Sequence, residues 1–355
     1  MTFFNADLKR SRRALAGWAT LSLFVITLGG VFLLPTGYVI ERPGQVFDVM
    51  GEINSEPVIS SEDLEVYDSE SRFDITTISL LGNREATPNW AQVLWAWADP
   101  DQIVLPLDEV YPPNRTTAEV RAESTAQMEI SQQDAIAVAL KELGYEVPRN
   151  LYISSVLEDT PASKLLIAGD LVLEAGGQEV TTFEELRSQI QLSLGQKMEI
   201  LVLRDGQTKV IEITPEFKND AYVIGAMIGY TYEFPVSIKL QLGDVGGPSG
   251  GLIFSLGIID ALTPGSLAGS NHIAGTGTIS PSGEVGPIGG IGLKMLAARD
   301  AGATVFLGPK ENCDEIVEHI PDGLNVVAVR DLSEAKSAVE ALASGQPLPA
   351  LGCSN

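Results

Sequence analysis

The chain is poor in the residues that build metal sites and disulfide frameworks. Its 355 residues include two cysteines, Cys313 and Cys353, and two histidines, His272 and His319. Two cysteines cannot make a disulfide framework and form no C-x-x-C metal pattern, although one bridge between them remains open. Two histidines are too few for a His-rich site, so no metal and no other cofactor is expected. Positive charge is scarce as well: 23 Lys and Arg stand against 47 Asp and Glu, a formal net charge of −24. That excludes nucleic acid as an expected partner, because phosphate binding needs clustered cations. The simplest reading of the acidity is solubility. No G-x-x-x-x-G-K-[ST] phosphate loop occurs. What remains is a chain long enough for two or three domains and a sizeable core.

One long hydrophobic run is present. The basic stretch Leu8–Arg13 is followed by Ala14–Leu34, which carries no charge. At about 1.5 Å per residue such a helix reaches the ~30 Å of a hydrocarbon core. No A-x-A cleavage site follows it, so an anchor is favoured over a cleaved signal peptide. The expected layout is a cytoplasmic basic N-terminus (1–13), a transmembrane helix (14–35) and an extracytoplasmic remainder.

Residues 36–125 form an N-terminal extracytoplasmic region. Arg72–Leu81 reads as a strand rich in Ile and Thr. Asn89–Pro100 reads as a short helix carrying Trp90, Trp95 and Trp97, which either cover a local core or rest on a membrane surface. Thr117–Tyr145 is strongly helical, with a break expected near Ser131, where Ser131 and Asp134 have capping-box spacing.

The next stretch, 126–216, changes character. Leu151–Leu157 is a strand, Thr182 and Glu185 cap a helix, and Asp205-Gly206 joins two alternating strands. Val156, Thr160-Pro161-Ala162, Ala168-Gly169-Asp170, the Gly176-Gly177 turn and the Arg204-Asp205-Gly206 hairpin together resemble a PDZ domain of the bacterial protease-associated type. The resemblance implies that an extended peptide, often a free C-terminus, is bound as an added strand. It points to the strand Leu151–Leu157, with Ile153, facing the helix Thr182–Ile190, and to a carboxylate-holding loop near Gly144 and Tyr145.

In Gly243–Leu262, Ser249 follows Pro248 and lies among Gly246, Gly247, Gly250 and Gly251. A serine nucleophile needs a base within hydrogen-bond reach and backbone amides for the oxyanion. Pro248 suits the first turn of a helix, and the run Leu252–Leu262 supplies one. Ser249 would then sit at a helix N-terminus, where free N–H groups favour negative charge. The alternative is a Gly-rich turn with Ser as a cap, and these residues alone leave both open. Chymotrypsin-like proteases need His and Asp before the serine; here both histidines follow it, so that arrangement is excluded. Lys294, in Pro287–Gly302, shares a helical face with Gly290, Ile291, Ala297 and Ala298. A lysine in such a setting has a lowered pKa and can be a neutral base.

The segment "GGPSGG" together with "AGTGTISPSGEVGPIGGIGLKMLAARDAGATVFLGPKEN" resembles the proteolytic domain of Lon-type serine peptidases, over most of residues 220–340. The resemblance implies that Ser249 is the nucleophile, that Lys294 is its general base and that Thr276 is a hydrogen-bond partner of the pair. Gly247 and Gly250 are the expected neighbours of the oxyanion. The whole chain resembles membrane-anchored, PDZ-containing Lon-like proteases. The fold class is therefore expected to be α/β (α+β) and multidomain: a transmembrane helix, a PDZ domain (126–216), a Lon-type proteolytic domain with a Ser–Lys dyad (217–345) and a flexible tail (346–355). Two departures stand out. The Asp found three residues before the serine in cytoplasmic Lon enzymes is Gly246 here, with Asp244 nearby. Gly250 replaces the usual alanine. Because the phosphate loop is missing, hydrolysis without ATP is expected, of polypeptides already flexible or presented by the PDZ groove. A hexameric ring is implied by the resemblance alone. The competing reading is an inactive, membrane-anchored peptide-binding scaffold; a third is self-processing near the anchor.

Overall fold

The computed structural model describes residues 12–243 and 245–353, with side chains from residue 17. The first helix, α1, spans Arg12–Leu33, and its described side chains are nearly all exposed, Trp18, Phe24 and Ile26 among them. Among the described residues no helix is long and apolar enough to cross a membrane, which leaves the span expected over 14–35 without support from the fold. Most of the basic N-terminal flank lies outside the described residues.

The chain then builds three strands, β1 (Tyr38–Asp48), β2 (Arg72–Leu81) and β3 (Ile103–Pro106), with helix α2 (Trp90–Ala98) between the last two. Asn89 caps α2 through a capping box with Gln92, which satisfies amides the first turn leaves free. Trp95 and Trp97 of α2 are exposed. Helix α3 runs unbroken over Thr117–Glu142. The break expected near Ser131 does not occur. No Gly or Pro interrupts the segment, and the Ser131 hydroxyl bonds outside its own helix. Gly144, at φ +87°, ends α3: its N–H reaches the Lys141 carbonyl, and the Tyr145 N–H reaches that of Leu140. This is the paired stop that glycine permits.

There follow β4 (Arg149–Val156), β5 (Leu171–Ala175), α4 (Phe183–Leu192), β6 (Met198–Arg204), β7 (Gln207–Ile213) and β8 (Ala226–Tyr232). Thr182 and Glu185 form the expected capping box on α4. Asp205 and Gly206, both at positive φ, make the tight β6–β7 hairpin, as the primed turn requires. The last part adds α5 (Gly251–Ala261), β9 (His272–Gly275), α6 (Ile291–Asp300), β10 (Val305–Pro309), α7 (Cys313–His319), β11 (Asn325–Val329) and α8 (Leu332–Ala343).

These elements fall into two compact units. One holds the residues through 61, 65–138 and 238 onward; the other holds 62–64 and 139–237. The sheet of the first unit has the order β11–β10–β9–β2–β1–β3. Its strands β2, β9, β10 and β11 are parallel, and β1 is antiparallel to β2 and β3. Residues 38–106, expected to lie in a separate N-terminal region, therefore supply half of this sheet, and the second unit is an insertion in the chain of the first. Helix α5 is buried along its whole length, as an all-round apolar helix must be. The second unit runs β7–β6–β5–β4–β8, with α4 packed through Leu186 and Ile190 onto a core that includes Leu151, Ile153 and Ile200.

The closing stretch, expected to be a loose tail, is held at two points. The Leu351 carbonyl accepts the Ala328 N–H of β11, and Cys353 is disulfide-bonded to Cys313 across 40 residues. Closing a loop of that length stabilises a fold by about 3–4 kcal/mol on the chain-entropy account.

Candidate active site and peptide groove

In the first unit, Ser249 stands just before α5, whose N-cap is Gly250. Pro248 lies ahead of the helix rather than in its first turn. The Ser249 carbonyl is held from two sides: Thr276 Oγ1 donates to it at 3.1 Å and the Gly277 N–H at 2.8 Å. Lys294 comes from α6, where Ile291, Leu293, Met295, Ala297 and Ala298 are all buried. Gly290 takes up a left-handed φ of +64° to begin this helix. A Cβ there would lie 2.4 Å from Ile78 Cδ1, so the glycine also allows a close approach to β2.

The structure brings Ser249, Lys294 and Thr276 together. Lys294 Nζ lies 2.9 Å from Ser249 Oγ and 3.1 Å from Thr276 Oγ1. Lys294 is 4% exposed and Thr276 is fully buried. Burial lowers the Lys294 pKa from 10.5 to about 8, while the charges of Glu41 and Glu315 pull it upward. Glu41 itself is raised, chiefly by burial and then by Glu109. Glu315 sits on α7 and accepts weakly from the Gly292 N–H of α6 at 3.4 Å. Sequence reasoning found the amine but missed both carboxylates, which come from other elements. A cleft of about 350 Å³ opens beside Ser249 and Lys294, lined by Phe47, Ile75, Met128 and Val245 among others.

The loop before the serine corrects one expectation and accounts for one departure. The Gly247 N–H donates to the Ser124 carbonyl at 2.9 Å, so it is not available to an oxyanion. Gly246 explains the missing aspartate. A Cβ there would fall 2.4 Å from Ser124 Oγ, and helix α3 fills the space a side chain would need. Asp244 lies outside the described residues. Among the described residues no group of three or more His, Cys, Asp or Glu is placed to hold a metal.

In the second unit, the expected peptide-binding residues do not converge. Ile153 is fully buried in the core, and β4 is paired on both sides, with β5 and with β8. It has no free edge to offer. Gly144 and Tyr145 serve the end of α3. The edge strand that faces a helix is β8, and the cleft between it and α4 measures about 500 Å³. Its lining includes Phe183, Ile190, Ile224, Gly225, Ala226 and Ile228. Gly225 has φ +78°, and a Cβ there would strike the Thr160 side chain. The Tyr230 hydroxyl accepts the Phe183 N–H at 2.9 Å, fixing β8 to the start of α4. The signal in the sequence was the small, apolar Ile224–Gly225–Ala226 turn before an alternating run.

Comparison with known proteins gives two family matches. Residues 236–341 match the Lon protease C-terminal proteolytic domain, and residues 124–214 match the PDZ domain. A curated relative, a probable periplasmic serine endoprotease DegP-like protein of Marinomonas sp., is 33% identical over 104 residues, 28% of this chain. The match takes in 22% of that relative's length. Among solved structures, the PDZ domain of the SdrC-like protein from Listeria monocytogenes is 26% identical, over 22% of this chain and 85% of that one, with a TM-score of 0.21. Its counterpart from Listeria innocua is 28% identical, over 22% of this chain and 92% of that one, with the same TM-score of 0.21.

Proposed function

We propose that this chain, a PDZ-containing, Lon-like protease by its two domain matches, hydrolyses peptide bonds without ATP through Ser249 and Lys294. The observation that carries the reading is the 2.9 Å approach of a buried, desolvated amine to the Ser249 hydroxyl. With a pKa near 8, a useful fraction of Lys294 is neutral at physiological pH. Its lone pair then accepts the Ser249 proton while one N–H donates to Thr276 Oγ1. Ser249 Oγ attacks the carbonyl carbon of the substrate, and the backbone amides of Ser249 and Gly250, just ahead of α5, receive the developing oxyanion. The ammonium of Lys294 gives its proton to the leaving amine, and the peptide C–N bond breaks. In the second half, Lys294 takes a proton from water as its oxygen attacks the acyl-enzyme carbonyl, then returns that proton to Ser249 Oγ as the ester C–O bond breaks.

The β8–α4 cleft is the site where a flexible polypeptide docks, as an added strand on the β8 edge. The chain is further proposed to be held to a membrane by the uncharged run Ala14–Leu34, with both units on the extracytoplasmic side. The Cys313–Cys353 bond supports that side, since such bonds persist in oxidising compartments. The test of the activity is cleavage of unfolded casein with no ATP present. Wild type is expected to cleave it, and Ser249→Ala and Lys294→Ala, each shown to be folded, are expected not to. Retained cleavage in either variant would overturn the dyad. Peptide binding without turnover in wild type would favour an inactive scaffold.

A further inference from the structure

We propose that Ser131, a residue of the helix that leads into the PDZ unit, is a positioning residue for the nucleophile: it orients the Ser249 amide that receives the oxyanion. The inference rests on the Ser249–Lys294 reading above.

Ser131 lies in the middle of α3 and is 3% exposed. A serine inside a helix usually turns its hydroxyl back to a carbonyl of the preceding turn or out to water. Ser255 of α5 does the former, donating to the Gly251 carbonyl at 2.9 Å. Ser131 does neither: its Oγ donates at 2.8 Å to the carbonyl of Pro248, a residue 117 positions away. The same helix takes the Gly247 N–H on the Ser124 carbonyl. Thus α3 grips the two residues immediately before Ser249. There is no slack at this contact. A Cβ on Gly251 would lie 2.9 Å from Ser131 Oγ.

The consequence follows from the geometry of the peptide group. The chain contains no cis peptide among the described residues, and in a planar trans peptide the C=O and N–H point in opposite directions. Holding the Pro248 carbonyl against α3 therefore turns the Ser249 N–H away from α3. The next peptide is fixed in the same manner, because Thr276 and Gly277 hold the Ser249 carbonyl and so aim the Gly250 N–H. Two consecutive amides are oriented by two separate anchors. With the Gly247 N–H committed to Ser124, these two amides, on the nucleophile and its neighbour, are the ones the anchors prepare for the tetrahedral intermediate. Preorganised donors of this kind act in the transition state rather than on the bound substrate.

Ser131→Ala removes the anchor, and Ser131→Cys keeps the shape of the side chain with a somewhat larger atom and a much weaker donor. Both are to be made in the full chain and compared with wild type on labelled, unfolded casein. Both are also to be titrated with a peptidyl boronate, whose tetrahedral adduct mimics the intermediate. The expected result is a fall in kcat of about tenfold or more, below the 10²–10³-fold loss of a whole oxyanion donor. KM should stay within about twofold, and boronate affinity should weaken in step with kcat/KM. The pH profile should keep its midpoint, since Lys294 is untouched. Folded variants that retain wild-type kcat overturn the inference while leaving the dyad standing. So does a loss confined to KM or to thermal stability. Should Ser131→Ala fail to fold, Ser131→Cys decides. If wild type itself shows no Ser249-dependent turnover, the dyad reading falls and this inference with it.

Discussion

Lys294 Nζ and Ser249 Oγ are 2.9 Å apart at the meeting of two helices that start 40 residues apart, with Thr276 Oγ1 bonded to both the amine and the serine's carbonyl. The amine has almost no water around it, and that fixes its pH behaviour. On the proposed mechanism activity requires the neutral amine. The rate should therefore rise with pH through a midpoint near 8 and level off above it. Glu41 and Glu315 favour the charged form, so Glu315→Gln should move the midpoint to lower pH. A kcat/KM profile for wild type and this variant checks both statements; a shift to higher pH would contradict them.

The buried amine also costs stability. Its pKa is lowered on folding, so the folded state binds fewer protons than the unfolded chain between about 8 and 10.5. Stability rises with pH across that window, and the destabilisation is complete below it. Lys294→Met should be inactive yet more stable at pH 7, by about 1–3 kcal/mol. The gain should shrink as pH rises above 8 and vanish near 10.5. Denaturant unfolding at three pH values measures it.

Glycines beside Ser249 should tolerate a methyl group unequally. A Cβ on Gly251 would lie 2.9 Å from the backbone nitrogen of Ile279, which cannot move aside. Gly251→Ala should cost about 1–3 kcal/mol and impair cleavage. A Cβ on Gly250 would meet only side-chain ends, Ile75 Cδ1 at 3.1 Å and Phe254 Cε2 at 3.2 Å. Gly250→Ala should fold and cleave nearly as wild type. Thermal melts and casein cleavage compare the pair.

For the groove, the β8–α4 cleft and the Gly144–Tyr145 turn make opposite forecasts. Phe183 is 43% exposed at the cleft, so Phe183→Asp should leave the fold intact. It should weaken binding of a peptide with an apolar free C-terminus by about tenfold or more, or about 1.4 kcal/mol. Tyr145→Ala should not change that affinity. Fluorescence anisotropy with a labelled peptide reads both; the reverse pattern would restore the β4 reading.

What the sequence made legible was local. The Thr182–Glu185 capping box, the Asp205-Gly206 turn and the strand Arg72–Leu81 each depend on a few neighbouring residues, and all three appear as expected. Ser249 and Lys294 were legible because glycines and small apolar residues surround them in sequence. The partners were not. β2 pairs with β9 across 200 positions, His272 opposite Arg72, and nothing near Arg72 announces that it belongs to the proteolytic unit. β4 and β8 both alternate, and only their pairing shows which one keeps a free edge. The local spacing of Ser131 and Asp134 suits a cap, whereas the Ser131 hydroxyl is claimed by the distant Pro248 carbonyl. Gly247 is a similar case, its amide bonded to a helix more than a hundred residues upstream.

The central claim is that Lys294 activates Ser249 for covalent attack. The most direct measurement is intact-protein mass spectrometry after brief mixing with an activated peptide ester, followed by peptide mapping. Wild type should gain one acyl group on Ser249, faster at pH 9 than at pH 7, while Lys294→Ala and Ser249→Ala gain none there. An acyl group on another residue, or equal acylation of Ser249 in Lys294→Ala, would contradict the account.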